Sequence, residues 1–279
     1  LNNEIINWGT SSLQFLPWMS YSFDTIIRGE IPLWNPYNGL GSPLLANYQS
    51  AIFYPLNWFL IIIYKIWEIK GLAIGLTLSI VSHLYLGSVG MAALLKYLKR
   101  SYLSCYLGGM IWVFGGYAVS RISFFTMIWS FSWIPLIILG VLLFRNSQNG
   151  TKIRWGLILS FLFSMQLFTG HAQTTYLTII LAALFMVFQI NQKLREKIVN
   201  LLLLGFVIVF SFLLTAVQLI PTFEYLKISQ RSQEVGFEHA ANFSYWPLRI
   251  ISTIFGNFWG HPGITRYFGG GTFWEDSLY

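Results

Sequence analysis

The chain has 279 residues, of which 55% are hydrophobic and only 10% charged, and it carries a formal net charge of +7. A soluble domain carries about 25% charged residues. The composition, with a mean hydropathy of +0.59, therefore argues against a soluble protein and predicts an all-α polytopic membrane protein. The positive balance does not point to nucleic acid, because membrane proteins collect Lys and Arg in cytoplasmic loops and no basic run here is interleaved with stacking aromatics. The single Cys105 lies in an apolar stretch, which argues against a disulfide framework or a thiolate metal site.

The sequence opens Leu-Asn-Asn-Glu with no Met and no basic n-region, and ends Ser277-Leu-Tyr279 without a closing feature. A portion of a longer protein is expected. Early in the chain, Pro17 opens a short predicted helix on which Met19, Phe23, Ile26 and Ile27 form one apolar stripe. Asp24 and Arg28 stand four apart on it, acid first, a spacing that favours pairing. Residues 28–55 follow, dense in Pro, Gly and Asn yet carrying Trp34, Tyr37, Tyr48, Phe53 and Tyr54. Such a stretch is neither a regular helix nor a central strand. A flexible linker has no use for these aromatics, so an ordered, functional loop is predicted.

Segment 51–67 is apolar but short for a span, which needs roughly 20 residues, and its Trp and Tyr suit the headgroup level. An interfacial helix is favoured over a crossing. Six spans are predicted after it, near 72–95, 102–119, 122–144, 155–170, 172–190 and 199–220. Lys96, Lys99, Arg100, Arg145, Lys152, Arg154, Lys193, Arg195 and Lys197 fall in loops on one side, and Arg121 stands alone on the other. The positive-inside rule makes the first side cytoplasmic. The predicted organisation is then a first extracytoplasmic region over 1–70 with interfacial helices, six transmembrane helices over 71–220, and a second extracytoplasmic loop over 221–279. Of the 10 carboxylates, all but Glu196 fall outside, which the rule does not require.

The run Gly29-Glu-Ile-Pro-Leu-Trp-Asn-Pro-Tyr37, with Gly41-x-Pro43, Gln49 and Phe53-Tyr-Pro55, resembles the first outer loop of bacterial YfhO-like membrane proteins. Leu13-Gln-Phe-Leu-Pro17-Trp18, the Gly170-His-Ala-Gln173 turn, Pro221-x-x-Glu224 with Ser229-x-Arg231, and Phe273-Trp-Glu275 fit in the same order, so the resemblance covers nearly the whole chain. That family is similar to the C-type glycosyltransferases, which take a sugar from a polyprenyl-phosphate donor and use long outer loops as the active site. The resemblance implies a C-type glycosyltransferase-like transmembrane module in the bacterial cytoplasmic membrane, with two long extracytoplasmic loops. It also implies a polyprenyl-phosphate sugar and a cell-envelope glycan or lipid acceptor as partners, with no nucleic acid and no cofactor. The shared module has seven spans, and one further span upstream of Leu1 brings the count into agreement.

Such a transfer needs a carboxylate to take the acceptor proton and positive or hydrogen-bonding groups at the departing phosphate. The catalytic candidates are Asp24, Glu224 and Glu275. Each has a plainer reading: Asp24 as half of a surface pair with Arg28, Glu224 as a helix N-terminal acid favoured by the dipole, Glu275 as a loop residue. Candidate substrate contacts are Arg28, Glu30, Trp34, Asn35, Gln49, His171, Gln173 and Arg231. Arg231 is favoured for phosphate, because Arg matches it bidentately. Trp34, Asn35 and Tyr37 suit a sugar ring, or equally a loop packed at the membrane interface. His83 is expected to make an interhelical hydrogen bond. No Asp-x-Asp is present and no protein-held metal is expected. One departure stands out: many relatives place an acid just before the Gln-x-x-Pro-Trp stretch, whereas Gly9-Thr-Ser-Ser12 stands here. Two other readings compete. A flippase of lipid-linked sugars is disfavoured by spans with no charge in their middles, and a non-catalytic assembly partner is favoured by the missing acid.

Overall fold

Long apolar runs with few breakers dictate helices, and the computed structural model is built almost entirely of them. It describes residues 10–188, 193–229, 247–253, 255, 258–260 and 268. A π-helical turn (Ser11–Phe15) runs without a break into α1 (Leu16–Ile27), with Pro17 just past the junction. Met19 and Phe23 of the predicted stripe are buried and Ile27 is exposed. The loop that follows contains a two-residue antiparallel bridge between β1 (Trp34–Asn35) and β2 (Ser42–Pro43), then 3-10 turns at Tyr48–Ser50 and Pro55–Asn57.

Helix α2 (Trp58–Tyr97) is interrupted at Trp67 and Glu68, where Glu68 takes φ 49° and ψ −137°. The break turns residues 58–66 back on the shaft, 69–97, as an antiparallel arm. Gly71 and Gly75 permit the close approach: a Cβ at Gly71 meets the Ile63 carbonyl oxygen at 2.6 Å, and one at Gly75 meets Leu60 Cδ2 at 3.0 Å. An arm of nine residues spans roughly 14 Å at 1.5 Å per residue, about half of a hydrocarbon core. Of segment 51–67, residues 58–66 form one arm of a helical hairpin, and 51–57 belong to the loop and its 3-10 turn.

The remaining helices are α3 (Tyr102–Phe114), α4 (Gly116–Ser120), α5 (Phe125–Asn146), α6 (Asn149–Phe168), α7 (Ala172–Val187), α8 (Leu194–Leu214) and α9 (Ala216–Ile228). An extended Gly115 separates α3 from α4, and Thr215 separates α8 from α9. Four helices are long and apolar enough to cross a membrane: α2, α3 with α4, α5 and α8. Helix α5 is the hub. It packs on α2, α6 and α7, and it buries Trp129, Trp133, Ile137 and Val141. Much of the outward surface is apolar, as on α3, where Tyr102, Leu103, Tyr106, Ile111 and Phe114 are exposed. That surface suits a bilayer.

Two ends of the bundle are fixed by cross-links. At one, Ser11 Oγ donates to the Ser123 carbonyl (2.7 Å), Tyr48 Oη to the Leu167 carbonyl (2.6 Å) and Gln218 Nε2 to the Leu45 carbonyl (2.8 Å). At the other, Asn146 Nδ2 donates to Tyr97 Oη (2.7 Å) and Arg145 Nη1 to the Phe185 carbonyl (2.6 Å). The first is the loop end, and the second is the basic end.

Candidate functional site

The loop over residues 28–57 is held to the loop end at three places. Tyr48 reaches into the α6–α7 turn, where Gly170 has φ +80° and a Cβ would collide with the Tyr48 carbonyl oxygen. Only glycine meets both demands. Burial pushes the Tyr48 phenol well above its usual pKa, so it stays a neutral donor. Leu45 is tied to Gln218 of α9.

The third anchor is Tyr54, which is fully buried. Its hydroxyl lies 2.6 Å from His83 Nε2 and accepts from Trp133 Nε1 at 3.0 Å. His83 Nδ1 faces the Ser79 carbonyl at 2.6 Å. A carbonyl only accepts, so Nδ1 carries the proton, Nε2 accepts, and Tyr54 is the donor to it. Burial raises the Tyr54 phenol, with Trp133 opposing. The hydrogen bond expected of His83 is present, and its partner is a loop tyrosine.

Asp24 and Arg28 do not pair. Asp24 Oδ1 accepts from Tyr64 Oη on the arm at 2.8 Å, Tyr64 Oη lies 3.0 Å from Ser20 Oγ, and Arg28 Nη2 turns to Thr25 Oγ1 at 3.4 Å. The rigid phenol outcompetes a long, solvated guanidinium. Glu30 is exposed, with its backbone N–H on the Thr25 carbonyl. Trp34 is half exposed and lies flush against Gly41, where a Cβ would touch its ring. Asn35 is buried, and its Oδ1 accepts the Tyr37 N–H at 3.0 Å, so it shapes the loop. Glu224 is not at a helix N-terminus: α9 starts at Ala216 because the chain breaks at Thr215, and Pro221 lies inside the helix. Glu224 is exposed, whereas Gln218 and Thr222 form the buried face. Arg231 and Glu275 lie outside the described residues.

A second group forms around the α6–α7 turn. Gln49 Oε1 accepts from Gln14 Nε2 at 3.1 Å, beside Gly170. His171, 8% exposed, caps α7: its Nδ1 lies 3.3 Å from the Thr174 N–H and 2.6 Å from Thr174 Oγ1. Since Nδ1 accepts the backbone N–H, the neutral ring carries its proton on Nε2, and that atom has no partner among the described residues. Burial, and then the charge of Arg121, lower the His171 pKa. Gln173 is exposed in the first turn of α7. Arg121, at the end of α4, has its guanidinium 5.6 Å from the Phe124 ring centroid and no carboxylate partner among the described residues.

No hydrogen bond or ion pair among the described residues joins the Asp24 group to the Arg121–His171 group. None of the described His, Cys, Asp and Glu residues cluster as metal ligands. Arg121 is not among the site residues expected from the sequence, although it is the one Lys or Arg in the short turns at this end. Two adjoining apolar grooves reach Tyr117, one turn before it in the chain. One, of about 380 Å³, lies along α3 and α4 against Trp112, Tyr117 and Phe131. The other, of about 220 Å³, runs from Thr174 past Leu177 to Leu181 and shares Tyr117 and Phe131. Comparison with models of known protein families, with curated protein sequences and with solved structures finds no match to this chain in any of the three.

Proposed function

We propose that the protein is a membrane glycosyltransferase. It moves a sugar from a polyprenyl-phosphate donor to a cell-envelope acceptor at the extracytoplasmic face of the bacterial cytoplasmic membrane. The observation that carries this reading is the fixed loop over 28–57, anchored through Tyr48 and Leu45 to α6 and α9 and through Tyr54 to His83 and Trp133 inside α2 and α5. The α6–α7 turn that Tyr48 grips carries His171, which feels the charge of Arg121, a cation with no carboxylate partner among the described residues. An ordered polar-aromatic platform at a membrane surface is suited to acting on a lipid-borne substrate there.

Among the described acids, Asp24 is the best placed to take a proton. It is exposed, one oxygen is oriented by Tyr64, and Oδ2 has no partner among the described residues. A general base needs an oxygen that can come within hydrogen-bond reach of the proton it takes, and Oδ2 is such an atom. The test is transfer from radiolabelled polyprenyl-phosphate hexose to an envelope extract by the full-length protein in nanodiscs. Asp24→Asn is expected to lower the rate by roughly 10²-fold or more with unchanged thermal stability, against smaller effects for Glu224→Gln and Glu275→Gln. Absence of transfer with every donor overturns the reading.

A specific observation favours a second reading, a non-catalytic assembly partner with the same fold. In the stretch where relatives place an acid, Ser11 is buried and its hydroxyl is spent on the Ser123 carbonyl.

A further inference from the structure

The two apolar grooves meet at Tyr117 and Phe131. Tyr117 lines both grooves and Thr174 lines the second. Arg121 stands four residues after Tyr117, where α4 ends, and His171 three residues before Thr174, at the head of α7. Arg121 and His171 thus stand about one helical turn beyond the groove-lining Tyr117 and Thr174, near enough to each other for the Arg121 charge to act on the His171 ring. The wall below is hydrocarbon and aromatic, with Trp112 stacked on Phe131 at 4.1 Å and 4°, and Tyr117 against Phe131 at 4.8 Å. Leu177 and Leu181, one turn apart on α7, continue the apolar side toward the basic end.

We propose that this groove seats the chain of a lipid phosphate, with the phosphate between the Arg121 guanidinium and His171 Nε2–H. A guanidinium that no described carboxylate engages offers paired donors to phosphate oxygens. The first-turn amides of a 16-residue helix add a favourable field. His171 contributes a donor without a second positive charge, since it is neutral. The flat aromatic floor fits a chain with planar double bonds better than a saturated one. The choice of a polyprenyl chain rests on the transfer reading above; the phosphate contact and the groove do not.

The test uses the full-length protein in nanodiscs with a polyprenyl phosphate that carries a photoreactive group in its chain. Crosslinks are expected on residues 108–118, 131–134 and 174–181. Unlabelled polyprenyl phosphate should compete at least roughly ten-fold better than the uncharged polyprenol, as a charge-assisted phosphate contact requires. It should also compete better than phosphatidylglycerol or inorganic phosphate. Arg121→Gln should weaken capture by about ten-fold, Arg121→Lys should weaken it less, and Leu177→Trp should fill the groove and abolish the α7 crosslinks. Equal competition by polyprenol removes the phosphate contact, and equal competition by phosphatidylglycerol makes the groove an ordinary bilayer-lipid surface. Either overturns the inference. Both comparisons use the wild-type protein, so a variant that misfolds does not rescue it. Selective capture without sugar transfer keeps this site and removes the enzyme reading, whereas transfer with crosslinks elsewhere does the reverse.

Discussion

Tyr54 shows how a loop residue governs a membrane bundle. Its hydroxyl satisfies two buried groups at once, Trp133 Nε1–H and His83 Nε2. Removing it leaves both unpaired, and an unsatisfied buried polar group costs about 1–3 kcal/mol. Tyr54→Phe is therefore expected to lower the unfolding temperature in detergent by several degrees, whereas Tyr37→Phe, at an exposed position, should leave it unchanged. Equal shifts would remove Tyr54 as an anchor. His171 gives a pH dependence. Burial first, and Arg121 second, hold its folded pKa below the unfolded value, which is about 6.5. As pH falls through about 6.5 the unfolded chain takes up the proton first, so this contribution is whole above that value and declines below it. His171→Asn keeps an N-cap acceptor and does not titrate. Its melting temperature should fall less than that of wild type between about pH 7 and pH 5, and parallel profiles would contradict the assignment. These roles were only half legible in the sequence. A His next to Ser82 in an apolar run announces a hydrogen bond, but not that its partner lies 29 residues earlier.

Among the elements, most helices over 69–187 were readable because apolar length and breakers decide them, as where Gly170 with His171 divides α6 from α7; the break at Gly115 was not, and the span expected over 102–119 is two helices, α3 and α4. The α2 hairpin was not readable either. Residues 58–66 and the shaft form one apolar run with no Pro or Gly at the reversal, and Glu68 takes a positive φ. The turn is set by tertiary contact, in which the arm packs where Gly71 and Gly75 leave room. Gly71→Val should be costly because its Cβ has no space beside the Ile63 backbone, with a loss of about 1–3 kcal/mol or more visible as a lower melting temperature. Gly205 in α8 has open space where a Cβ would stand, with nothing within 4 Å, so Gly205→Ala should stabilise by roughly 0.5–1 kcal/mol. If both substitutions behave alike, helix propensity and not the hairpin contact governs α2. The break at Thr215 was equally hidden, since no Gly or Pro marks it, and this is why Glu224 falls late in a separate helix.

For the whole molecule, length and charge together set how it sits in lipid. The α2 shaft, 69–97, rises roughly 43 Å at 1.5 Å per residue, more than the roughly 30 Å hydrocarbon core. With Lys96 and Lys99 closing it at the basic end, the excess emerges at the loop end. There α1 and the arm wrap it through Phe23, Tyr64, Leu72 and Leu76. The functional reading requires this end to be extracytoplasmic, as the distribution of Lys and Arg predicts. Cysteine labelling decides it, because the chain has 1 Cys and Cys105 is buried. In a Cys105→Ser background, Leu40→Cys at the exposed loop tip and Gln148→Cys at the exposed basic end report on opposite surfaces. A membrane-impermeant maleimide added to intact cells should modify the first and reach the second only after permeabilisation. The reverse pattern would put the loop, Arg121 and Asp24 in the cytoplasm. A lipid-linked sugar presented at the outer leaflet would then never meet them, and the transfer reading would fail on topology alone, whatever the residues at the site are able to do.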